Sequence, residues 1–173
     1  MNPILFSSDR LDFRKFSEKN AEFFYELNMN WEVMKYTGDT SFESIEDSRK
    51  FLSKYDPYSK TGFGRWTIYL KGTIQPIGWC GLKKLDDGTV DLGYRLAQQF
   101  WGNGYATEAS LKSIEIGFSK YNLKEIIGRT AIDNKASINV LEKVGMHFWK
   151  KAACEGIENS IYYKIMKEDY GKI

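Results

Sequence analysis

Histidine is nearly missing from this chain: His147 is the only one in 173 residues. A zinc site would need carboxylates in most of its positions, and any Ser-His or Cys-His catalytic pair would depend on that single imidazole. We read His147 as structural or surface. Cysteine is scarce too. Cys80 and Cys154 lie far apart and form no Cys-x-x-Cys pair, which argues for two reduced thiols acting as small buried hydrophobes rather than a disulfide framework. No apolar run approaches the roughly 20 residues that span a bilayer, and Met1-Asn2-Pro3-Ile4-Leu5-Phe6 lacks the apolar core of a signal peptide. The expected location is the cytoplasm, without a membrane partner. A surplus of one charge is absent as well. The 25 basic and 23 acidic residues leave a net charge of +2 without long runs, so there is no electrostatic footprint for nucleic acid.

What is present fits a globular protein. Hydrophobic residues make up 42% and charged residues 28%, and the length suits one domain spanning residues 1–173 with a real core. The organising stretch runs from Asp91 to Thr107. A short apolar strand leads into Gln99-Phe100-Trp101-Gly102-Asn103-Gly104, and an amphipathic segment follows. A glycine loop at a strand-to-helix corner is an anion site. The first helical N–H groups have no internal partner and carry the positive end of the macrodipole, while glycine lets a phosphate approach the main chain. A dinucleotide fingerprint would need glycine or alanine at the position of Thr107, and a P-loop would need lysine after Gly104, where Tyr105 stands. Neither pattern holds.

In chain order, Leu11 to Phe16 alternates like a strand. Ser17 can cap a helix with Ala21, Phe24, Leu27 and Asn28 on one face, and Trp31 to Tyr36 suggests a short second helical turn. Ser44 can cap a third helix that stops before Pro57, and Tyr58 to Gly64 reads as loop. Arg65–Leu70, Pro76–Leu85 and Val90–Leu96 should form an antiparallel meander, with Asp87-Gly88 as a type I′ hairpin turn. After the glycine corner, Thr107, Leu111, Ile114 and Phe118 mark the inward face of a helix. Glu125 to Ile132 is the next strand. A helix then opens at Asn134, with Ile138, Leu141 and Val144 inward and Gly145 as its stop, and Ser160 to Ile165 closes the sheet. The fold class is a mixed α+β sheet flanked by helices.

These residues resemble the GNAT superfamily of N-acyltransferases, and within it the RimJ/RimL-like branch. Gln99-Phe100-Trp101-Gly102-Asn103-Gly104 is similar to that superfamily's Gln/Arg-x-x-Gly-x-Gly/Ala motif. Gly93-Tyr94-Arg95-Leu96 through Tyr105-Ala106-Thr107-Glu108-Ala109 resembles the branch, as do Asp133 to Ile138 and Leu141-Glu142-Lys143-Val144-Gly145-Met146. The resemblance implies a mostly antiparallel twisted sheet of about six to seven strands with a splayed central pair. It also implies acetyl-CoA as co-substrate, with no metal. The diphosphate would rest on the amides of Trp101, Gly102, Asn103, Gly104, Tyr105, Ala106 and Thr107, with Gln99 beside them. Tyr94, Arg95 and Leu96 would flank the pantetheine arm, and Asn134, Ser137 and Lys143 would meet it from the second helix. Asn134 can equally be a helix cap and Ser137 an ordinary first-turn residue.

The implied activity is direct acetyl transfer to a primary amine, either a protein N-terminus or a small amine, by a monomer or homodimer. An α-amine with a pKa of about 8 is roughly one-tenth neutral at pH 7, so a weak or water-relayed base suffices. Asp91 matches a position where related sequences place a carboxylate and is the candidate base. Ser137 or Tyr162, with Tyr163 beside it, is the candidate proton donor to the departing thiolate. Trp31, Tyr36 and Trp79 fall where relatives build the acceptor wall, although most aromatics belong to the core. Glu108, in a first helical turn, reads as structural. The alternative is a catalytically silent module that binds or senses CoA.

Overall fold

The computed structural model describes residues 2–171. Eight strands form one sheet in the order β1-β2-β3-β4-β5-β6-β8-β7. They are β1 (Ile4–Ser7), β2 (Leu11–Lys15), β3 (Arg65–Leu70), β4 (Pro76–Lys84), β5 (Val90–Leu96), β6 (Glu125–Ala131), β7 (His147–Cys154) and β8 (Ile157–Met166). Only β5 and β6 run parallel, joined by the crossover helix α5 (Tyr105–Ser119). The sheet therefore has more strands than the six or seven expected. The additions are its two edges. β1 has only four residues, and β7 is exposed along most of its length, so neither shows the apolar alternation that marks a half-buried strand.

Local chemistry accounts for most element ends. Ser44 accepts from the Asp47 N–H at the start of α3 (Ile45–Lys54), and Asn134 accepts from the Ser137 N–H at the start of α6 (Lys135–Lys143). Ser17 caps a 3₁₀ turn at Glu18–Asn20, which leads into α1 (Ala21–Met29) and α2 (Trp31–Met34). Two turns differ from expectation. Tyr58 to Thr61 is a one-turn helix, α4, closed by Gly62 in the left-handed region. The β4–β5 hairpin is not type I′. Of Asp87 and Gly88 only Gly88 has a positive φ, at +87°, and the Leu85 N–H donates to the Thr89 carbonyl at 2.8 Å across a three-residue loop.

The sheet carries helices on both faces. α5 buries Ala109, Ser110, Ser113, Ile114, Gly117 and Phe118. Small residues set that face. Ser113 Oγ lies 3.4 Å from Cys80 Sγ on β4, and a Cβ at Gly117 would come within 3.0 Å of Ile126 and Leu82. The close approach rotates Leu111, expected inward, to 38% exposure. α6 lies on the same side, its Leu141 and the following Met146 filling the space above Gly128 of β6. On the opposite face α1, α2 and α3 enclose Phe16, Phe24, Leu27, Val33, Leu52 and Trp79. Full burial of a side chain such as Phe24 or Leu27 contributes about 1.5–3 kcal/mol.

The site is positioned by what β5 and β6 do not share. They are in register only at Asp91 with Ile127 and Leu92 with Gly128. From Gly93 to Leu96, β5 pairs with β4 alone and the two parallel strands diverge toward their carboxyl ends. No helix among the described residues is long and apolar enough to cross a membrane.

Candidate active site

At the wide end of the divergence, β5 passes through a 3₁₀ turn at Gln98–Phe100 into the glycine loop and α5. Gly102 and Gly104 both have φ +77°, a conformation glycine adopts without Cβ strain. The Trp101 N–H donates to the Gln98 carbonyl at 3.0 Å, and the Glu108 N–H to the Gly104 carbonyl at 3.0 Å. Between them, the N–H groups of Gly102, Asn103, Gly104, Tyr105, Ala106 and Thr107 have no acceptor among the described residues. Trp101 to Gly104 are exposed. The loop is pinned by the Trp101 indole, which donates to the Leu96 carbonyl at 2.9 Å, and by the Asn103 amide, which donates to the Phe100 carbonyl at 3.2 Å and the Trp101 carbonyl at 3.0 Å. Uncovered amides at a helix N-terminus suit a diphosphate.

Glu108 has a different duty. It accepts from the Ser8 hydroxyl and the Arg10 N–H, both at 2.7 Å, and from Arg10 Nε at 2.6 Å. Burial works against its charge, but these hydrogen bonds outweigh it and hold the carboxyl below its usual range. Arg10 also donates to the Asn103 carbonyl at 3.0 Å and stacks on the Tyr105 ring, 4.6 Å from its centroid. The β1–β2 turn is thereby fastened to the loop.

A cleft of about 190 Å³ opens where β5 leaves β6. Tyr94, Asn134, Ser137 and Leu141 line it from the side of α6, and Tyr36, Arg65, Trp79, Arg95 and Arg129 from the side of α2. The Tyr94 hydroxyl lies 2.8 Å from Ser137 Oγ. Burial pushes the Tyr94 phenol above its ordinary value and the Ser137 hydrogen bond opposes this, so the phenol keeps its proton at neutral pH. Across the gap Asp91 is 4% exposed. Its two oxygens accept from Arg129 Nε at 3.0 Å and Nη2 at 3.3 Å, and Arg65 Nη2 stands 3.6 Å away. Burial raises the Asp91 carboxyl while the two guanidiniums favour its ionised form.

The structure thus gathers Asp91, Tyr94, Arg95, Asn134, Ser137, Tyr36 and Trp79 around one cleft. Leu96 is buried in the core, and Gln99 belongs to a separate open hollow of about 980 Å³ beside α1. Trp31, Lys143 and Tyr163 also lie away from the cleft, and Tyr162 stands at its edge, opposite Arg129 on the ladder. Trp31 is 72% exposed on α2, and Lys143 is exposed at the distal end of α6. The Tyr162 hydroxyl donates to the Ala153 carbonyl at 3.1 Å and its ring meets Trp149, while the Tyr163 hydroxyl donates to Glu142 at 2.9 Å. Asp91 reaches the cleft with its oxygens engaged by Arg129. Residues not anticipated are Arg65, Lys83, Arg129, Asp39, Cys154 and Glu155. A signal for one of them was present: Arg129 puts a cation inside a strand otherwise rich in apolar and β-branched residues, where charge is costly without a partner.

Residues 10–147 match the family model described as an acetyltransferase (GNAT) domain. The chain is 29% identical over 173 residues to an uncharacterized N-acetyltransferase, p20, of Bacillus licheniformis, covering 94% of this chain and 96% of that one. It is 32% identical over 148 residues to the uncharacterized N-acetyltransferase YoaA of Bacillus subtilis, covering 84% and 83%. Its fold superposes on the crystal structure of a GNAT-family acetyltransferase from Bacillus anthracis with a TM-score of 0.79 at 30% identity, covering 94% and 98% of the two chains.

Proposed function

This chain belongs to the GNAT acetyltransferase family, and from that premise we propose that it moves an acetyl group directly from acetyl-CoA to a primary amine held beside Trp79. The observation that carries the proposal is the run of unpartnered amides from Gly102 to Thr107 at the mouth of the divergence between β5 and β6. Acetyl-CoA supplies an acyl group already activated as a thioester. The loop amides hold its diphosphate, and Tyr94, Asn134 and Ser137 border the gap through which its acyl end reaches the opposite face. The motif string around Gly102 and Gly104 favours the RimJ/RimL-like branch, and two unlinked thiols suit a reducing cytoplasm.

The chain's own groups can meet each demand of the transfer. The amine nitrogen forms a bond to the acyl carbon, the carbon–sulfur bond breaks, and the electron pair leaves on sulfur. The Ala97 N–H donates to the Ile77 carbonyl, and ladder alternation then turns the Tyr94 and Leu96 N–H groups toward the gap. They are placed for the acyl oxygen as it gains negative charge. The Tyr94–Ser137 pair delivers a proton to sulfur. Nearby guanidiniums disfavour an ammonium, so the amine loses its proton to cleft water, and Asp91 anchors Arg129, with Arg65 at ion-pair distance, instead of serving as the base. Cys154 lines the cleft but burial keeps its thiol protonated, which favours direct transfer over an acyl-cysteine.

The test is heat stabilisation by CoA together with amine-dependent thiol release, corrected for hydrolysis. Stabilisation with transfer to at least one amine is expected. Ser137→Ala and Tyr94→Phe should each lower kcat by roughly ten- to a hundredfold, near the range for a proton-transfer group. Absence of stabilisation by CoA would overturn the donor assignment, and binding without transfer to any amine would favour a silent CoA-binding module.

A further inference from the structure

On the α1 and α2 face of the cleft, one arginine makes no hydrogen bond through its side chain among the described residues. Arg129 engages Asp91, and Arg95 engages Asn28 at 2.7 Å and Asp39 at 2.5 Å. Arg65 makes no side-chain hydrogen bond among the described residues, and its Nε is enclosed without a partner. The nearest anionic atom, Asp91 Oδ2 at 3.6 Å, is beyond hydrogen-bonding range and already serves Arg129. A buried donor left unpaired costs about 1–3 kcal/mol, and native proteins carry few.

The surroundings keep this guanidinium where it is. It stacks on the Trp79 indole at 4.5 Å, and the Arg95 guanidinium stands 5.4 Å from the same ring. Beneath it β5 has Gly93, where a Cβ would come within 2.9 Å of Arg65 Nη2. The missing side chain is thus the space the guanidinium uses. Two like charges share one indole and line the cleft with Lys83, while the acids there are Asp91 and Asp39, both engaged, and the exposed Glu155. A polycation would meet arginines here, and a peptide N-terminus offers only an amide beyond its amine.

We propose that the acceptor is a small amine that carries its own carboxylate, of the amino-acid type, and that Arg65, flat against Trp79 above Gly93, is the residue that binds the carboxylate. This rests on the acetyl-transfer reading and fixes the class of its acceptor. A guanidinium meets a carboxylate through two parallel N–H donors, a fit lysine cannot copy. The adjacent cations also disfavour the ammonium form of the bound amine.

The experiment is calorimetric titration of the CoA-saturated protein with alanine and methionine, their carboxamides, O-phosphoethanolamine and spermidine, with thiol release measured in parallel. Amino acids should bind at least roughly tenfold more tightly than their carboxamides, the range expected for a hydrogen-bonded charge. Arg65→Gln should erase that preference and raise KM for the amino acid without changing the heat stabilisation given by CoA. Arg65→Lys should restore the preference only in part. Equal binding of acid and carboxamide, tighter binding of spermidine or phosphoethanolamine, or no binding of any amino acid would each overturn the assignment. If CoA stabilisation and transfer to another amine survive those outcomes, the acetyl-transfer reading stands and only the carboxylate inference falls.

Discussion

Gly104 is held at φ +77° with the Arg10 guanidinium 3.5 Å from the place a Cβ would occupy. A side chain there incurs roughly 1–2 kcal/mol of left-handed strain and enters the space left for the diphosphate. Gly104→Glu adds a negative charge as well, so heat stabilisation by CoA should vanish while the protein remains folded by circular dichroism. Glu108 gives a pH prediction. Its folded pKa lies below the ordinary 4.5, so its contribution is complete above that value and is lost as pH falls through the folded one. The melting-temperature gap between wild type and Glu108→Gln should therefore be constant near neutrality and close in acid. The glycine corner was legible because its chemistry is local: a strand, two glycines and a helix start lie within one short stretch. Asp91 was not. Its ion pair is with Arg129, 38 residues away, and a carboxylate in a strand looks the same in sequence whether it is bare or bound. Tyr162 and Tyr163 point to opposite faces of β8, and periodicity alone does not say that Tyr162 shares its face with Arg129, its partner across the ladder.

At the level of elements, α6 takes its height above the sheet from Gly128. A Cβ there would stand 2.6 Å from Leu141 and 3.1 Å from the Met146 sulfur. Gly128→Val should lift α6 and carry Asn134 and Ser137 away from Tyr94, lowering stability by about 1–3 kcal/mol through overpacking. The measurable outcome is a raised KM for acetyl-CoA with a reduced melting temperature. A variant with unchanged kinetics would show that Ser137 does not need that seat. The helices α3 and α6 were readable because caps and periodicity agreed at each, and the strands of the meander were readable from their composition although the type of the β4–β5 turn was not. The edge strands were not, since an exposed strand has little apolar alternation to show. The inward face of α5 was not fully legible because Ser110, Ser113 and Gly117 dominate the contact, whereas the helical spacing of large apolar residues points to Leu111.

Across the whole molecule, the two apolar clusters lie on opposite faces of one sheet, with Tyr55 packed against both. We propose a single cooperative unit. Trp66 belongs to the first cluster and Trp79 to the second, so Trp66→Phe and Trp79→Phe variants leave indole fluorescence weighted to opposite faces. Their thermal transitions should superpose on the far-ultraviolet signal after correction for each variant's own midpoint, and separate transitions would make the α1 to α3 layer an independent unit. Topology was legible in part, because a meander and a crossover leave few ways to arrange the strands. The arginine cluster was hidden, because β3, β5 and β6 each contribute one member and only tertiary folding brings them together. The parting of β5 from β6 after two rungs has a mechanical meaning. The sheet is two wings whose backbones share only those rungs, with the common core, the Asp91–Arg129 pair and the Tyr94–Ser137 contact crossing the seam, and a coenzyme lodged there becomes a further strut between them. Coenzyme supply would then govern the firmness of the scaffold along with the rate of the chemistry.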